Sequence, residues 1–422
     1  MNNGLTWVVA LVKPKFGASF SNVCKLGCLQ MYFYKYQNVS PLSLMMLKRG
    51  EVYFASASEL NDRHECRARY IFNGPKEIWE RFVDYVLYKV CSESSIFSSH
   101  QDACKLVKLA EPIFEAGFSR IKKRNLTVYD TTLLFNYGFD AVLGEEFSSE
   151  EKVKIKQCTE SYLLALSESE LLENKHICSF SQNAINPTMW GHYGAAQTGF
   201  VVIYESSDGF VDVESTLCNL SGHRETENGW HEIGHYAFES LMLKDVSYSK
   251  QPCKVNAFER LIHKFRYSER EFHYDVPENF LGMIDRMEEN KVGLVKYTDW
   301  KYEQEVRLLF PTYEDLPSEH RCLKVNSRHI KGIIFGPKTS DSSKERVLMA
   351  CSHLFGCEKG KLDLAVFQAL DSHDNYSYQV FPIGMVSKFL SSQRLPLTEF
   401  ERLNPDQKEF LDKLGKSIVE QS

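Results

Sequence analysis

The sequence predicts an α+β fold, in which short strands lie before and after a long, mainly helical stretch. Apolar and aromatic runs of strand length recur at Tyr32–Tyr36, Ile177–Ser181, Gly199–Tyr204 and Ile330–Phe335. Between residues 76 and 172 the apolar residues change to helical spacing, as in Ile78, Phe82, Tyr85 and Val86. Strands and helices do not alternate regularly, which argues against a doubly wound sheet.

The elements follow in order. Residues 1–30 read as a leader of little structure, and Met31 is a plausible alternative start because regular patterning begins there. Tyr32–Tyr36 is a strand. Ser40-Pro41 opens a short helix that runs to Leu47 and stops at Gly50. Val52–Ala55 is a second strand. The helical stretch then occupies 76–172, with Leu106, Leu109, Ile113 and Phe114 on one stripe and a capped start at Ser148. Strands resume at 177–181, 199–204, 245–249, 303–310 and 330–335. Asp341–Phe355 is a capped amphipathic helix. A last strand at 376–382 and a helix at 405–420 finish the chain. In domain terms, 31–75 and 173–358 form an α+β core, 76–172 a helical insertion, and 359–422 a C-terminal extension.

With 422 residues, 43% of them hydrophobic, the chain has ample material for a core. A net charge of -6 gives no global attraction to nucleic acid. The 12 cysteines are scattered, and no Cys-x-x-Cys pair occurs, which points to reduced thiols in the cytoplasm. The run Leu5–Val12 is too short to span a membrane, and no later stretch reaches that length. No membrane association is expected.

The most informative stretch is Trp300-Lys-Tyr302-Glu303-Gln-Glu305-Val-Arg307. On a strand, Glu303, Glu305 and Arg307 share one face. Such a row can hold a cation, a ribose or a proton in transit; its plainer reading is a structural ion pair on an edge strand. Three further segments accompany it. They are Tyr34-Lys35-Tyr36 with Ser58-Glu59-Leu60-Asn61-Asp62-Arg63-His64-Glu65; Cys178-Ser179-Phe180-Ser181 with Met189-Trp190-Gly191-His192-Tyr193; and Ile330–Gly336.

Together these segments resemble the bacterial family known as domain of unknown function 2971. The resemblance spans residues 31–340, interrupted by the helical insertion. The Met-Trp-x-x-Tyr and Trp-x-Tyr-Glu-x-Glu-x-Arg pieces carry most of it. Where the family has Asn-Asp-Pro, an aromatic and Glu, this chain has Arg63 and His64 in place of the proline and the aromatic. Asn61, Asp62 and Glu65 remain.

The order of elements also resembles that of ADP-ribosyltransferases of the Arg/Ser/Glu type. That resemblance implies a small split antiparallel core sheet and NAD as substrate. It implies Lys35 or Tyr36 on the first core strand and Ser179 and Ser181 on a middle one. Asn61 and Asp62 join the NAD-binding set, and Trp190 or Tyr193 stack on nicotinamide. Glu305, Glu303 and Arg307 form the catalytic row. A carboxylate beside the ribose stabilises the positive charge that develops as the nicotinamide bond breaks, and a second one accepts the acceptor's proton. The acceptor is a protein or a nucleic acid, in plain hydrolysis water. By analogy, bacterial proteins of this kind act in toxin or phage-defence systems. Each residue also has an ordinary reading: core aromatics, the polar side of a strand, a solvated lysine, a turn at Asn61-Asp62.

Two other functions stay open. His231-Glu232-Ile-Gly-His235 fits His-Glu-x-x-His, which on a helix binds zinc with Glu232 as general base. Its flanks are polar, and Glu239, Glu259 and His263 are undistinguished as a third ligand, so no metal is expected. Alternatively the chain is a non-enzymatic module that binds a protein partner through its helical insertion or C-terminal helix.

Overall fold

The computed structural model describes residues 30–62, 64–66, 68–93, 96–97, 100–123, 125–167, 176–215, 222–226, 229–233, 239–266, 291–310, 316–354, 364–386 and 395–422. The leader expected at 1–30 lies, except for Gln30, outside the described residues. The chain divides into two compact units. One comprises residues up to 61 with 175–246 and 298–422; the other comprises 62–174 and 247–297.

The first unit is built on a mixed ten-stranded sheet. Its order runs Lys244–Asp245, Glu305–Leu309, His176–Ser181, Met31–Gln37, Phe200–Ser206, Ile330–Phe335, Leu364–Asp371, Tyr378–Val386 and Leu397–Glu399. Ala55–Ser56 pairs with His176–Ser181 beside this path. Neighbours are antiparallel except Ile330–Phe335 with Leu364–Asp371, which the helix Asp341–Cys351 separates in sequence. The small core sheet expected from the sequence is therefore corrected to a large mixed one. The apolar run Leu364–Asp371 supplies an interior strand beyond those expected from the sequence.

Period-two alternation gives each strand two different faces. On one face Phe33, Cys178, Phe180, Val202, Val306, Leu308 and Ile333 are buried in a single cluster. Leu47 of the helix Pro41–Arg49 and Val347 of Asp341–Cys351 join it. So do Val52, Val211, Leu241 and Leu323, from a second, four-stranded sheet. On the other face Tyr32, Tyr34, Tyr36, Ile203, Ile334 and Phe367 pack with Trp190. The C-terminal helix Pro405–Gln421 covers that face with Leu411, Leu414 and Ile418.

Local signals explain the helix ends. Ser40 and Ser43 form a capping box ahead of Pro41, and Gly50 closes the helix with φ 68°, a left-handed conformation that glycine adopts without strain. Gly336 ends its strand where a Cβ would lie 2.3 Å from the Gln197 carbonyl and 2.9 Å from the Trp190 ring.

The second unit holds the helices Lys76–Glu93, His100–Val107, Ala110–Ile121, Val128–Val142 and Ser149–Ala165. Capping boxes at Thr127 and Ser148 start two of them. Phe72, Trp79, Phe82, Phe114 and Phe258 form its aromatic core. Glu65 and Lys296 make a buried ion pair there at 2.8 Å.

Arg307 is buried and meets Glu305 with two parallel hydrogen bonds of 2.7 and 2.8 Å. Arg307→Met removes the guanidinium that faces a buried carboxylate and is expected to cost about 3–5 kcal/mol in denaturant unfolding. The double variant Glu305→Leu/Arg307→Met is expected to recover most of that; equal losses in both would contradict it. Gly336→Ala is expected to cost about 1–3 kcal/mol, because backbone and an indole ring oppose the added methyl. An unchanged melting temperature would disprove that crowding.

Candidate functional site

The sequence places Glu303, Glu305 and Arg307 on one strand face. The structure keeps only the last two there. Residues Thr298–Glu303 form a 3-10 helix, and Gln304 has φ 44°, so the chain turns before the strand begins at Glu305. From that point the register is regular, with Glu305 opposite Ser181 and Arg307 opposite Ser179. The two strands pair within one sheet. The Glu305 carboxylate is not open to solvent but buried against Arg307. Glu305 and Arg307 thus anchor the strand, and Glu305→Gln is expected to lower the stability of the fold.

Glu303 occupies a different place. Its carboxylate accepts a hydrogen bond from the Tyr193 phenol at 2.5 Å, and Asn61 Nδ2 donates to the same phenol oxygen at 3.0 Å. The Ser181 hydroxyl is buried and donates to the Glu303 main-chain carbonyl at 2.7 Å. The structure therefore brings Asn61, Ser181, Tyr193 and Glu303 together, four residues from four separate segments. Glu303 is itself buried, whereas Tyr193 is half-buried and Asn61 exposed.

One residue further out, a second pair repeats the arrangement. His192 Nδ1 and the Tyr302 phenol lie 3.0 Å apart. Consecutive residues 192 and 193 thus meet consecutive residues 302 and 303. The short helix Pro187–His192 fixes one side, with Asn186 capping it and donating to the Tyr302 carbonyl at 3.1 Å. The 3-10 turn fixes the other.

The remaining candidates lie elsewhere. Lys35 alternates with Tyr34 and Tyr36 and so points to the opposite sheet face. Its ammonium donates to the Ser179 carbonyl at 2.7 Å and sits over the Phe180 ring. Ser179 is half-buried across from Arg307. Tyr36 is buried, with its phenol donating to the Asn183 carbonyl at 2.8 Å; burial holds its pKa well above the ordinary value. Trp190 is buried too: its indole donates to the Ala184 carbonyl, and Tyr36 and Tyr378 meet its ring edge-on, so it is a core residue and does not stack on nicotinamide. Asp62 belongs to the second unit, where its carboxylate accepts the His64 amide in a turn.

For the zinc motif, Gly229–Ile233 is a strand. The helix assumed for this motif therefore does not exist at His231. His235 lies outside the described residues.

Sequence reasoning missed His192 and Tyr302 as site residues, although both stand inside the two quoted motifs. It also missed the support beneath Asn61, for which no motif exists. Arg321, distant in sequence, grips Glu59 through two hydrogen bonds of 2.6 and 3.1 Å. Its guanidinium also covers the Tyr53 ring. Glu59 accepts the Ser56 amide at 2.9 Å and the Tyr53 phenol at 3.0 Å, which fixes the turn two residues before Asn61.

Burial works to raise the Glu59 pKa, but Arg321, the Ser56 amide and the Tyr53 phenol outweigh it and hold the carboxyl below its ordinary value. A group whose folded pKa is depressed stabilises the fold above its unfolded pKa, about 4.3, and this is lost as pH falls through the folded value. Glu59→Gln is therefore expected to flatten the acid side of the plot of melting temperature against pH. An acid limb as steep as that of the wild type would count against this role.

No curated protein and no solved structure matches the chain. Residues 189–308, a stretch that begins beside Trp190 and ends just past Arg307, match the family described as "Protein of unknown function (DUF2971)".

Proposed function

We propose that the chain is an ADP-ribosyltransferase-like enzyme that cleaves NAD and passes the ADP-ribosyl group to a protein or nucleic-acid acceptor, or to water. One observation carries this reading. Glu303 is a buried carboxylate held by the Tyr193 phenol, which the Asn61 amide holds in turn, at the junction of the serine strand, the Asn61 turn and the Tyr193 helix end. A fixed negative charge away from bulk water is what a developing ribosyl cation requires.

The roles differ from those the motif order suggests. Glu303, rather than Glu305, is the carboxylate that holds the ribose 2′-hydroxyl and stabilises the charge. Tyr193 and Asn61 orient that carboxylate. Ser181 fixes the backbone from which Glu303 projects. The half-buried ring of Tyr302 offers a π face to nicotinamide in place of Trp190. When the C1′–N bond breaks, its electron pair leaves with nicotinamide, and an acceptor oxygen supplies the new bond to C1′.

Glu303→Gln keeps the side-chain shape and removes the charge. Nicotinamide release is expected to fall by about two to three orders of magnitude. Tyr193→Phe is expected to cost less, because it removes one orienting hydrogen bond and leaves the charge. Nicotinamide release, together with labelling of a lysate by radiolabelled NAD, checks both. Wild-type protein that neither consumes NAD nor labels a lysate refutes the reading, and so does full activity in Glu303→Gln.

A further inference from the structure

The two neighbouring pairs, Tyr193–Glu303 and His192–Tyr302, have different exposure. The inner pair places a buried carboxylate against a half-buried phenol. The outer pair is led by an exposed imidazole whose Nδ1 is engaged by the Tyr302 phenol at 3.0 Å. The Tyr193 and Tyr302 rings flank that imidazole at centroid distances of 6.4 and 5.8 Å. A hydrogen bond at one ring nitrogen orients the imidazole and selects the role of the other.

From this geometry we infer that His192 is the general base of the site and that the acceptor is an oxygen nucleophile, an alcohol or water. This rests on the reading of Glu303 given above. Glu303, engaged by Tyr193, serves the ribose; with Nδ1–H of the exposed imidazole donating to the Tyr302 phenol oxygen, Nε2 is the nitrogen that serves the incoming group. The chemistry selects the acceptor class. Guanidinium and ammonium groups are protonated at neutral pH, so their attacking nitrogen must lose a proton before it can bond. A hydroxyl already has a free lone pair. It bonds to C1′ as the C1′–N pair departs on nicotinamide, and its proton becomes strongly acidic only then. An imidazole is basic enough to take that proton to Nε2 and release it to solvent. NAD and an alcohol thus yield an O-linked ADP-ribosyl product, nicotinamide and one proton.

The test uses the full chain with NAD, methanol as the alcohol probe and agmatine as the guanidine probe. Nicotinamide release and product masses are measured. Wild-type protein is expected to give ADP-ribose and its methyl glycoside, and no agmatine adduct. His192→Ala is expected to slow release about a hundredfold, with KM for NAD and melting temperature unchanged. Added imidazole is expected to restore much of the rate in His192→Ala and none in Glu303→Gln. A His192→Ala variant with the wild-type rate overturns the inference while Glu303 keeps its role. The same holds if imidazole gives no rescue, or if agmatine is modified in preference to methanol. Wild-type protein that leaves NAD intact removes this inference together with the function on which it rests.

Discussion

A guanidinium shut away from water must have its charge met where it stands. Arg307 obtains that from Glu305, two residues back on the same strand face, through a forked pair of hydrogen bonds. Desolvating two charges is costly, and the cost is offset only when the geometry is tight. The pairing therefore holds the strand in one register, with Glu305 opposite Ser181 and Arg307 opposite Ser179. It also governs the chain before it. A strand continued backwards would set Glu303 beside Glu305, crowding two carboxylates on one face. The left-handed Gln304 turns Glu303 away instead, and the freed carboxylate meets Tyr193.

The tyrosines behind this arrangement share a second constraint. Tyr32, Tyr34 and Tyr36 alternate along one strand and bury their rings on one sheet face. Burial disfavours their ionised forms, pushing Tyr32 up to about 12, with Glu205 adding to the effect. Tyr36 satisfies its hydroxyl on the Asn183 carbonyl, the same oxygen that Ser181 reaches. Tyr34 lies between them with no partner for its hydroxyl among the described residues. A buried donor left so carries a penalty of about 1–3 kcal/mol, which the surrounding packing overcomes.

The legible part of the sequence was what local chemistry decides. Capping boxes, Gly50, the apolar strand runs and the helical stripe around Phe82 all state their structure within a few residues. Three-dimensional pairing decides the rest. Nothing near Glu305 says that Arg307 will be buried, so a structural ion pair and a row of site residues look the same in sequence. Gln304 has no side-chain reason to advertise a left-handed turn. Trp190 looks equally suited to stacking on a ligand or filling a core, and only its neighbours Tyr36 and Tyr378 decide for the core. The support of Asn61 by Arg321 joins segments too far apart for any local pattern to relate. The motifs marked the right neighbourhood; the assignment within it needed the register.

The lengths of the outermost strands carry a different consequence. Among the described residues, the large sheet ends on two residues at Lys244–Asp245 and three at Leu397–Glu399. A sheet edge is a template of unpaired amides and carbonyls, and a long flat one recruits strands from other molecules. Here the apolar central strands are long, yet each border offers only a short row with charged residues in it, Lys244 and Asp245 at one side and Glu399 at the other. A ten-stranded sheet of such composition thereby resists edge-to-edge aggregation without having to close into a barrel.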